Sequence, residues 1–90
     1  MNSYLVESYV ARSPAALEVS RERARKTAKL GAAVLYVRST YIPGDEVALH
    51  LFEAPSIEAL EEAGRRAALD FERIVEAVDS TTSETKEGAR

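Results

Sequence analysis

The chain has 90 residues, which is enough for one small domain with a single modest hydrophobic core. Apolar residues make up 46% and charged residues 30%, and the formal net charge of -3 gives no reason to expect nucleic acid or an anionic membrane as a partner. No cysteine is present, which excludes disulfides, thiolate metal sites and a cysteine nucleophile and suits a cytoplasmic location. No apolar run approaches the roughly 20 residues of a membrane span, and no signal peptide is visible.

The first third of the chain predicts a strand followed by a helix. Residues 3–10 alternate with a period of two and mix β-branched with aromatic side chains, which indicates a strand. Ser13 is then expected to be an N-cap, with Pro14 at the first helical position, and the helix extends to about Leu30. Gly31 is expected to end this helix in the left-handed conformation.

The rest of the chain predicts a hairpin, a second helix and a last strand. Residues 32–41 and 46–53 form two strands joined by a turn at 43–45. Ser56 begins the second helix, whose acidic start and basic end complement the helix dipole. Residues 71–79 form the fourth strand.

The order of these elements predicts the fold class. Strand, helix, strand, strand, helix, strand with right-handed crossovers gives an α+β, ferredoxin-like βαββαβ fold, a four-stranded antiparallel sheet with both helices on one face. We expect this domain to span residues 1–79. Residues 80–90 are almost entirely polar and are expected to form a disordered tail.

Because both helices cover the same face, strand alternation should sort side chains between a covered and a bare face. To the helix side we assign Val6, Leu35, Val37, Leu49, Leu51 and Val75. To the bare side we assign Leu5, Glu7, Tyr9, Tyr36, Arg38, Ala48, His50, Phe52, Ile74, Glu76 and Val78. A bare face this apolar should not stay exposed in a stable monomer, so we expect a homodimer with facing sheets, a dimeric α/β barrel.

His50, the only histidine, would then lie in the interface among carboxylates. With Glu7 or Glu76 it would form a ligand set for a divalent metal or an acid–base pair, and Tyr36 and Tyr9 would position a small molecule beside it. The expected metal ligands are His50 and Glu7, and Arg38 is expected to pair with Glu7 or Glu76 because a buried charge needs a partner. One histidine is few for a metal site, so a structural polar network at the interface is the alternative.

Four stretches of the chain match a known family: YLVES (4–8), YVRS (36–39), LFEAPS (51–56) and ALEEAGRRAALDFERIVEA (59–77). Together they resemble a family of small ferredoxin-like proteins of mostly unknown function, within the dimeric α/β-barrel superfamily. The resemblance implies the same fold and a dimer, and one member is described as a nickel-binding protein. Many relatives have a histidine where this chain has Ala63 and a cysteine where it has His50.

These observations predict a small dimeric binding domain that holds a small ligand or a divalent metal, such as nickel, between two facing sheets. Two alternatives stay open: a cofactor-less enzyme of the oxygenase or isomerase type that uses His50 with a carboxylate, and a structural dimer without a ligand.

Overall fold

The computed structural model describes residues 1–78, which form one antiparallel sheet and two helices. The strands are β1 (Asn2–Tyr9), β2 (Leu35–Ile42), β3 (Val47–Ala54) and β4 (Arg73–Ala77), and the helices are α1 (Pro14–Leu30) and α2 (Ile57–Arg66). The chain order is β1, α1, β2, β3, α2, β4, and the strand order in the sheet is β2-β3-β1-β4. The predicted ferredoxin-like α+β fold is therefore confirmed. The predicted tail lies outside the described residues. Within residues 1–78, neither helix combines the length and the apolar character needed to cross a bilayer.

Both helices begin where the sequence places their N-caps. The Ser13 side-chain oxygen accepts a hydrogen bond from the Ala16 backbone N–H at 3.0 Å, and Pro14 occupies the first helical position. In α2 the Ser56 side-chain oxygen accepts from the Ala59 N–H at 3.1 Å. Each cap satisfies one backbone donor that the first helical turn leaves without a partner.

The end of α1 differs from the prediction. Gly31 has φ -107° and is extended, so the expected left-handed stop is wrong; Ala33 (φ 59°) adopts the left-handed conformation instead. A Cβ atom on Gly31 would lie 2.7 Å from the Ala63 Cβ of α2 and 2.7 Å from a Val34 methyl carbon. Glycine is required at residue 31 because the end of α1 lies directly against α2.

We expect Gly31→Ala to lower the free energy of unfolding by about 1–3 kcal/mol, because the added methyl must displace packed atoms. Gly44→Ala is the matched control, since nothing lies within 4 Å of a Cβ at residue 44 and its φ is not positive. Urea unfolding of the two variants should give a clear loss for the first and no loss for the second. Equal effects would show that the two helices are not in close contact at Gly31.

The core lies between the sheet and the two helices, and residues 1–78 form only these two layers. The shortest dimension of the chain is 18 Å, which leaves no room for a third layer. Packing of α1 and α2 against one face therefore leaves the other face of the sheet uncovered. The buried hydrophobic cluster consists of Tyr4, Val6, Ala24, Val34, Phe52, Ala54, Leu60, Ala63 and Leu69.

The predicted assignment of β3 to the two faces is wrong. Leu49 and Leu51 lie on the uncovered face, whereas Ala48, His50 and Phe52 are fully buried beneath the helices. A period of two defines two sets of side chains but does not say which set faces the helices. Alanine at residue 48 allows a helix to approach the sheet closely, which the leucines would not.

In β1 the assignment is correct, and the strand register carries the correction into β3. Val6 is buried on the helix side, and Leu5 lies on the uncovered side. Val6 pairs with His50, and Leu5 pairs with Leu51. Since directly opposed residues of neighbouring strands share a face, the burial of Val6 brings His50 to the helix side as well.

A β-bulge explains the mixed outcome in β2. The register shifts between Tyr36 and Arg38, so Val37 is an extra residue in the pairing with β3. Tyr36 and Ser39, three residues apart, therefore both lie on the helix side, so the predicted place of Tyr36 on the bare face is wrong. Arg38 reaches the uncovered side as predicted. Leu35 and Val37 were expected on the helix side but are 53% and 44% exposed.

In β4 the predicted faces are reversed. Ile74 packs against the buried cluster and Val75 is exposed on the uncovered face. Glu76 pairs with the buried Tyr4, so it lies on the helix side of this edge strand, where its side chain is exposed. Its expected place beside Glu7 on the uncovered face is therefore wrong.

Candidate functional site

The side of the sheet that no helix covers, here called the open face, has an apolar centre flanked by charged and polar residues. Across its middle, Leu51 of β3 pairs with Leu5 of β1, and Leu5 pairs with Val75 of β4. Leu35, at one end of the face, is more than half exposed. The main side chains of the open face are Leu5, Glu7, Tyr9, Leu35, Arg38, Leu49, Leu51, Arg73 and Val75.

A shallow cavity of about 460 Å³ lies on the open face and is called the sheet cavity below. Its apolar lining comes from Leu5, Val37, Leu51, Ala77 and Val78, and its polar lining comes from Ser3, Arg38 and Glu53. This volume is in the range of small-molecule pockets, and a mainly apolar wall with a few polar groups is typical of them.

Glu7 lies on the open face but is already paired. Its two carboxylate oxygens accept from Nε and Nη2 of Arg73 on β4, at 3.2 and 3.3 Å. The partner is thus the neighbouring Arg73, because β4 pairs directly with β1, and not Arg38 as predicted. Tyr9, on the same face, donates its hydroxyl to Glu46 at 2.8 Å, and this hydrogen bond raises the pKa of Tyr9.

His50 lies on the other side of the sheet, beneath α1, and is completely buried. Its Nε2 is 2.8 Å from the Ser20 hydroxyl of α1, and its Nδ1 is 2.6 Å from the Ser39 hydroxyl of β2. The Ser39 hydroxyl is in turn 2.6 Å from the Tyr36 hydroxyl. These four side chains form a continuous run of hydrogen bonds, here called the hydroxyl–imidazole chain.

The surroundings of His50 keep its ring neutral. Burial, and then the positive charge of Arg21, lower the pKa of His50 to about 4 from its ordinary value of 6.5. In the neutral ring one nitrogen donates and the other accepts, and the two serine hydroxyls can serve either role. The ring is therefore fully satisfied without a carboxylate.

The predicted site residues do not come together. His50 and Glu7 lie on opposite sides of the sheet and cannot bind one metal ion, and within residues 1–78 no three His, Cys, Asp or Glu side chains are grouped closely enough to hold one. Arg38 lies on the open face and Glu76 at the exposed edge of the helix side. Of the predicted set, only Tyr36 shares a network with His50, through Ser39.

Sequence reasoning did not connect Ser20, Ser39 or Arg21 with His50. Ser20 lies in the stripe of α1 that also contains Leu17 and Ala24, at helical spacings of three and four residues. A polar residue inside a buried helical stripe needs a hydrogen-bond partner, and His50 is the isolated polar residue among the buried positions of β3. That pairing is the signal that could have connected them.

Comparisons with known proteins support the fold and leave the site unassigned. No family model matches the chain, and no curated protein matches it. Among solved structures the chain is similar to the crystal structure of SCO4226 from Streptomyces coelicolor A3(2), with a TM-score of 0.71 and 19% sequence identity. The similarity covers 87% of this chain and 98% of that chain. At this identity it shows the fold, and it is consistent with a ferredoxin-like family.

Proposed function

We propose that the chain is a homodimeric binding domain in which two open faces pack together and enclose a small, mainly apolar ligand in the sheet cavity. The observation that carries this proposal is the uncovered apolar sheet. A monomer would leave the leucines and valines of β1, β2, β3 and β4 against water, and burying such a patch against a second copy is the simplest remedy.

The open face is near the lower limit of size for a specific dimer interface. Four strands about 4.8 Å apart and five to eight residues long give a footprint of roughly 20 Å by 20 Å, or about 400 Å² before side-chain relief is counted. Two such corrugated faces together approach the roughly 1,000 Å² that specific interfaces exceed.

The ligand we propose is organic rather than a metal ion. The resemblance to a nickel-binding protein would require histidine and carboxylate ligands on one side of the sheet. His50 faces the helices and Glu7 is held by Arg73, so the two expected ligands point away from each other. The cavity wall instead combines five apolar residues with Ser3, Arg38 and Glu53. The dimer needs no disulfide, which suits the cytoplasmic location expected from the cysteine-free sequence.

Sedimentation of the full chain tests the dimer. A mass close to twice the 9.9 kDa of one chain is expected at micromolar concentration. Leu51→Arg, at the centre of the open face, should give a folded monomer, because two arginines would meet at the two-fold interface. Val19→Arg is the matched control, since Val19 is 48% exposed on α1, away from the open face, and this variant should stay dimeric.

Native mass spectrometry of the same protein, purified without additives, tests the ligand. A dimer carrying a bound organic species, lost in the Leu51→Arg monomer, is the expected result. The proposal would be overturned if the wild-type chain stayed monomeric at about 100 times the concentration of the sedimentation experiment. It would also be overturned if the Leu51→Arg variant remained a dimer. A chain that ends at residue 79 should form a dimer, as the full chain does. If only the shortened chain dimerises, the last eleven residues, and not a second copy, cover the open face of the full chain.

A further inference from the structure

A second cleft lies between α1 and the outer strand β2, and it shares Val37 and Arg38 with the lining of the sheet cavity. Its volume is about 360 Å³. Leu17 and Val37 supply apolar wall, and the polar lining combines two guanidinium groups with three hydroxyls, from Arg21, Arg38, Tyr36, Ser39 and Tyr41. We call it the arginine cleft. It is locally positive in a chain whose net charge is -3.

The two arginines have most of their donors available. Arg21 makes a single 3.5 Å contact with Glu18 on the exposed surface of α1. Arg38 makes no ion pair with any residue between 1 and 78. It directly follows the bulge at Val37, which directs its side chain away from the helix side. Guanidinium groups bind carboxylates and phosphates through paired N–H donors, and a cleft that presents two of them favours an anion.

The hydroxyl–imidazole chain ends in this cleft and has two possible directions. If Nδ1 of His50 carries the proton, Ser20 donates to Nε2, Nδ1 donates to Ser39, and Ser39 donates to Tyr36. The Tyr36 proton is then free to point into the arginine cleft. If Nε2 carries the proton, every hydrogen bond reverses, and the Tyr36 hydroxyl donates to the Ser39 oxygen instead of into the cleft.

We propose that the arginine cleft binds a small organic anion, a carboxylate or a phosphate monoester, through Arg21, Arg38 and the Tyr36 hydroxyl, and that the bound anion fixes the direction of the hydroxyl–imidazole chain. An anion accepts hydrogen bonds, so it favours the direction in which Tyr36 donates to it. His50 is then held with its proton on Nδ1.

The consequence extends to the opposite side of α1. Ser20 also lines a separate cleft of about 260 Å³ beside Arg23 and Asp70. With the anion bound, the Ser20 proton is directed at His50; in the reversed chain Ser20 accepts from His50 and its proton is free for that second cleft. Occupancy of the arginine cleft thus determines which hydroxyl is free to donate: Tyr36 into the arginine cleft when the anion is bound, or Ser20 into the second cleft when the chain is reversed.

The test uses the full chain labelled with ¹⁵N in its single histidine, titrated with phenyl phosphate, benzoate and inorganic phosphate. We expect saturable binding of at least one of the two organic anions and a shift of the His50 nitrogen signals towards the Nδ1–H tautomer as the site fills. If inorganic phosphate binds as well as the organic anions, charge alone is sufficient for binding. If it does not bind, the organic group is required.

Three variants assign the contacts. Arg21→Gln and Arg38→Gln should each weaken binding about tenfold or more, because each removes charge-assisted hydrogen bonds. Tyr36→Phe should weaken binding less and should abolish the tautomer response, since the chain then has no end in the cleft. Arg65→Gln, at an exposed position on α2, is the matched control and should leave both unchanged.

The proposal is overturned if none of the anions binds at millimolar concentration, if binding is insensitive to both Arg21→Gln and Arg38→Gln, or if the cleft fills without any change in the His50 tautomer. Failure here is separate from failure of the proposed dimer. The arginine cleft is formed by one chain, and Arg21→Gln alters a residue of α1 that does not lie on the open face, so sedimentation of that variant should still report a dimer.

Discussion

Lowering the pH from 6.5 to 4 should reduce the free energy of unfolding by about 3 kcal/mol through His50 alone. The unfolded chain binds this proton with the ordinary pKa of 6.5, whereas in the folded protein the pKa of His50 is about 4. Between these values the unfolded state binds more protons, so stability rises with pH across the interval. The contribution is complete above pH 6.5 and is lost below pH 4, at about 1.4 kcal/mol for each unit.

The upper half of this interval is the most informative. About 2 kcal/mol of the loss should fall between pH 6.5 and 5, above the range in which ordinary carboxylates titrate. The cause is that a charged imidazole would be buried beneath α1 beside Arg21, with serine hydroxyls but no carboxylate in contact. Protonation keeps both hydrogen bonds, since each serine can accept, but leaves the charge without a counter-ion.

Urea unfolding at a series of pH values measures this effect. His50→Gln cannot titrate and should show a nearly flat free energy between pH 6.5 and 5, although it is less stable at pH 7. Arg21→Gln keeps the histidine but removes the second cause of the lowered pKa, so its loss should be smaller than that of the wild type. If wild type and His50→Gln lose the same amount over this range, His50 is not the buried neutral group described here.

The fold was predictable because its signals are local. N-cap serines at residues 13 and 56, a proline at the first helical position and a four-residue turn before β3 each depend on neighbours in the sequence. Together with the period of two in the strands, they give the order of elements. The ferredoxin-like arrangement then follows from the right-handed crossover rule.

The faces of the sheet were harder to predict because they depend on the register between strands distant in sequence. In β3 both alternating sets contain large apolar residues, Leu49 and Leu51 in one and Phe52 in the other. Choosing the leucines for the core moved every β3 side chain to the wrong side, as a change of one residue in a strand always does. The alanines at 48 and 54, both fully buried, mark the side that the helices approach.

The candidate site could not be assembled from the sequence for the same reason. His50 meets Ser20 across 30 residues and Ser39 across 11, and the second contact depends on a bulge that strict alternation does not allow. The bulge brings Tyr36 and Ser39 to the same side and leaves Arg38 between the arginine cleft and the open face. The prediction of an apolar open face was not affected by these errors, because both alternating sets of β3 contain large apolar residues.

Phe52→Ala should be among the most destabilising single substitutions in the chain, lowering the free energy of unfolding by about 3–5 kcal/mol. Phe52 is fully buried at the centre of the sheet, with its ring centroid 5.6 Å from that of Tyr36 at an angle of 59°. A domain of this size has only about 5–13 kcal/mol of stability in total, so this loss can unfold the variant. Phe52→Leu is therefore measured as well, and we expect it to lose about 1–2 kcal/mol.

Leu51→Ala, one residue away, is the control that separates the core from the open face. Leu51 is half-buried in the single chain, so its truncation should reduce the stability of the monomer by about 1 kcal/mol or less. If the open face forms the dimer interface, the loss should grow as the protein concentration is raised, because a dimer is stabilised by mass action, whereas the loss in Phe52→Ala should change little. A Leu51→Ala variant as unstable as Phe52→Ala in dilute solution would mean that the leucines of β3 face the helices after all. The buried position of His50 would then have to be abandoned, since the register that places Leu51 on the open face also places His50 beneath α1.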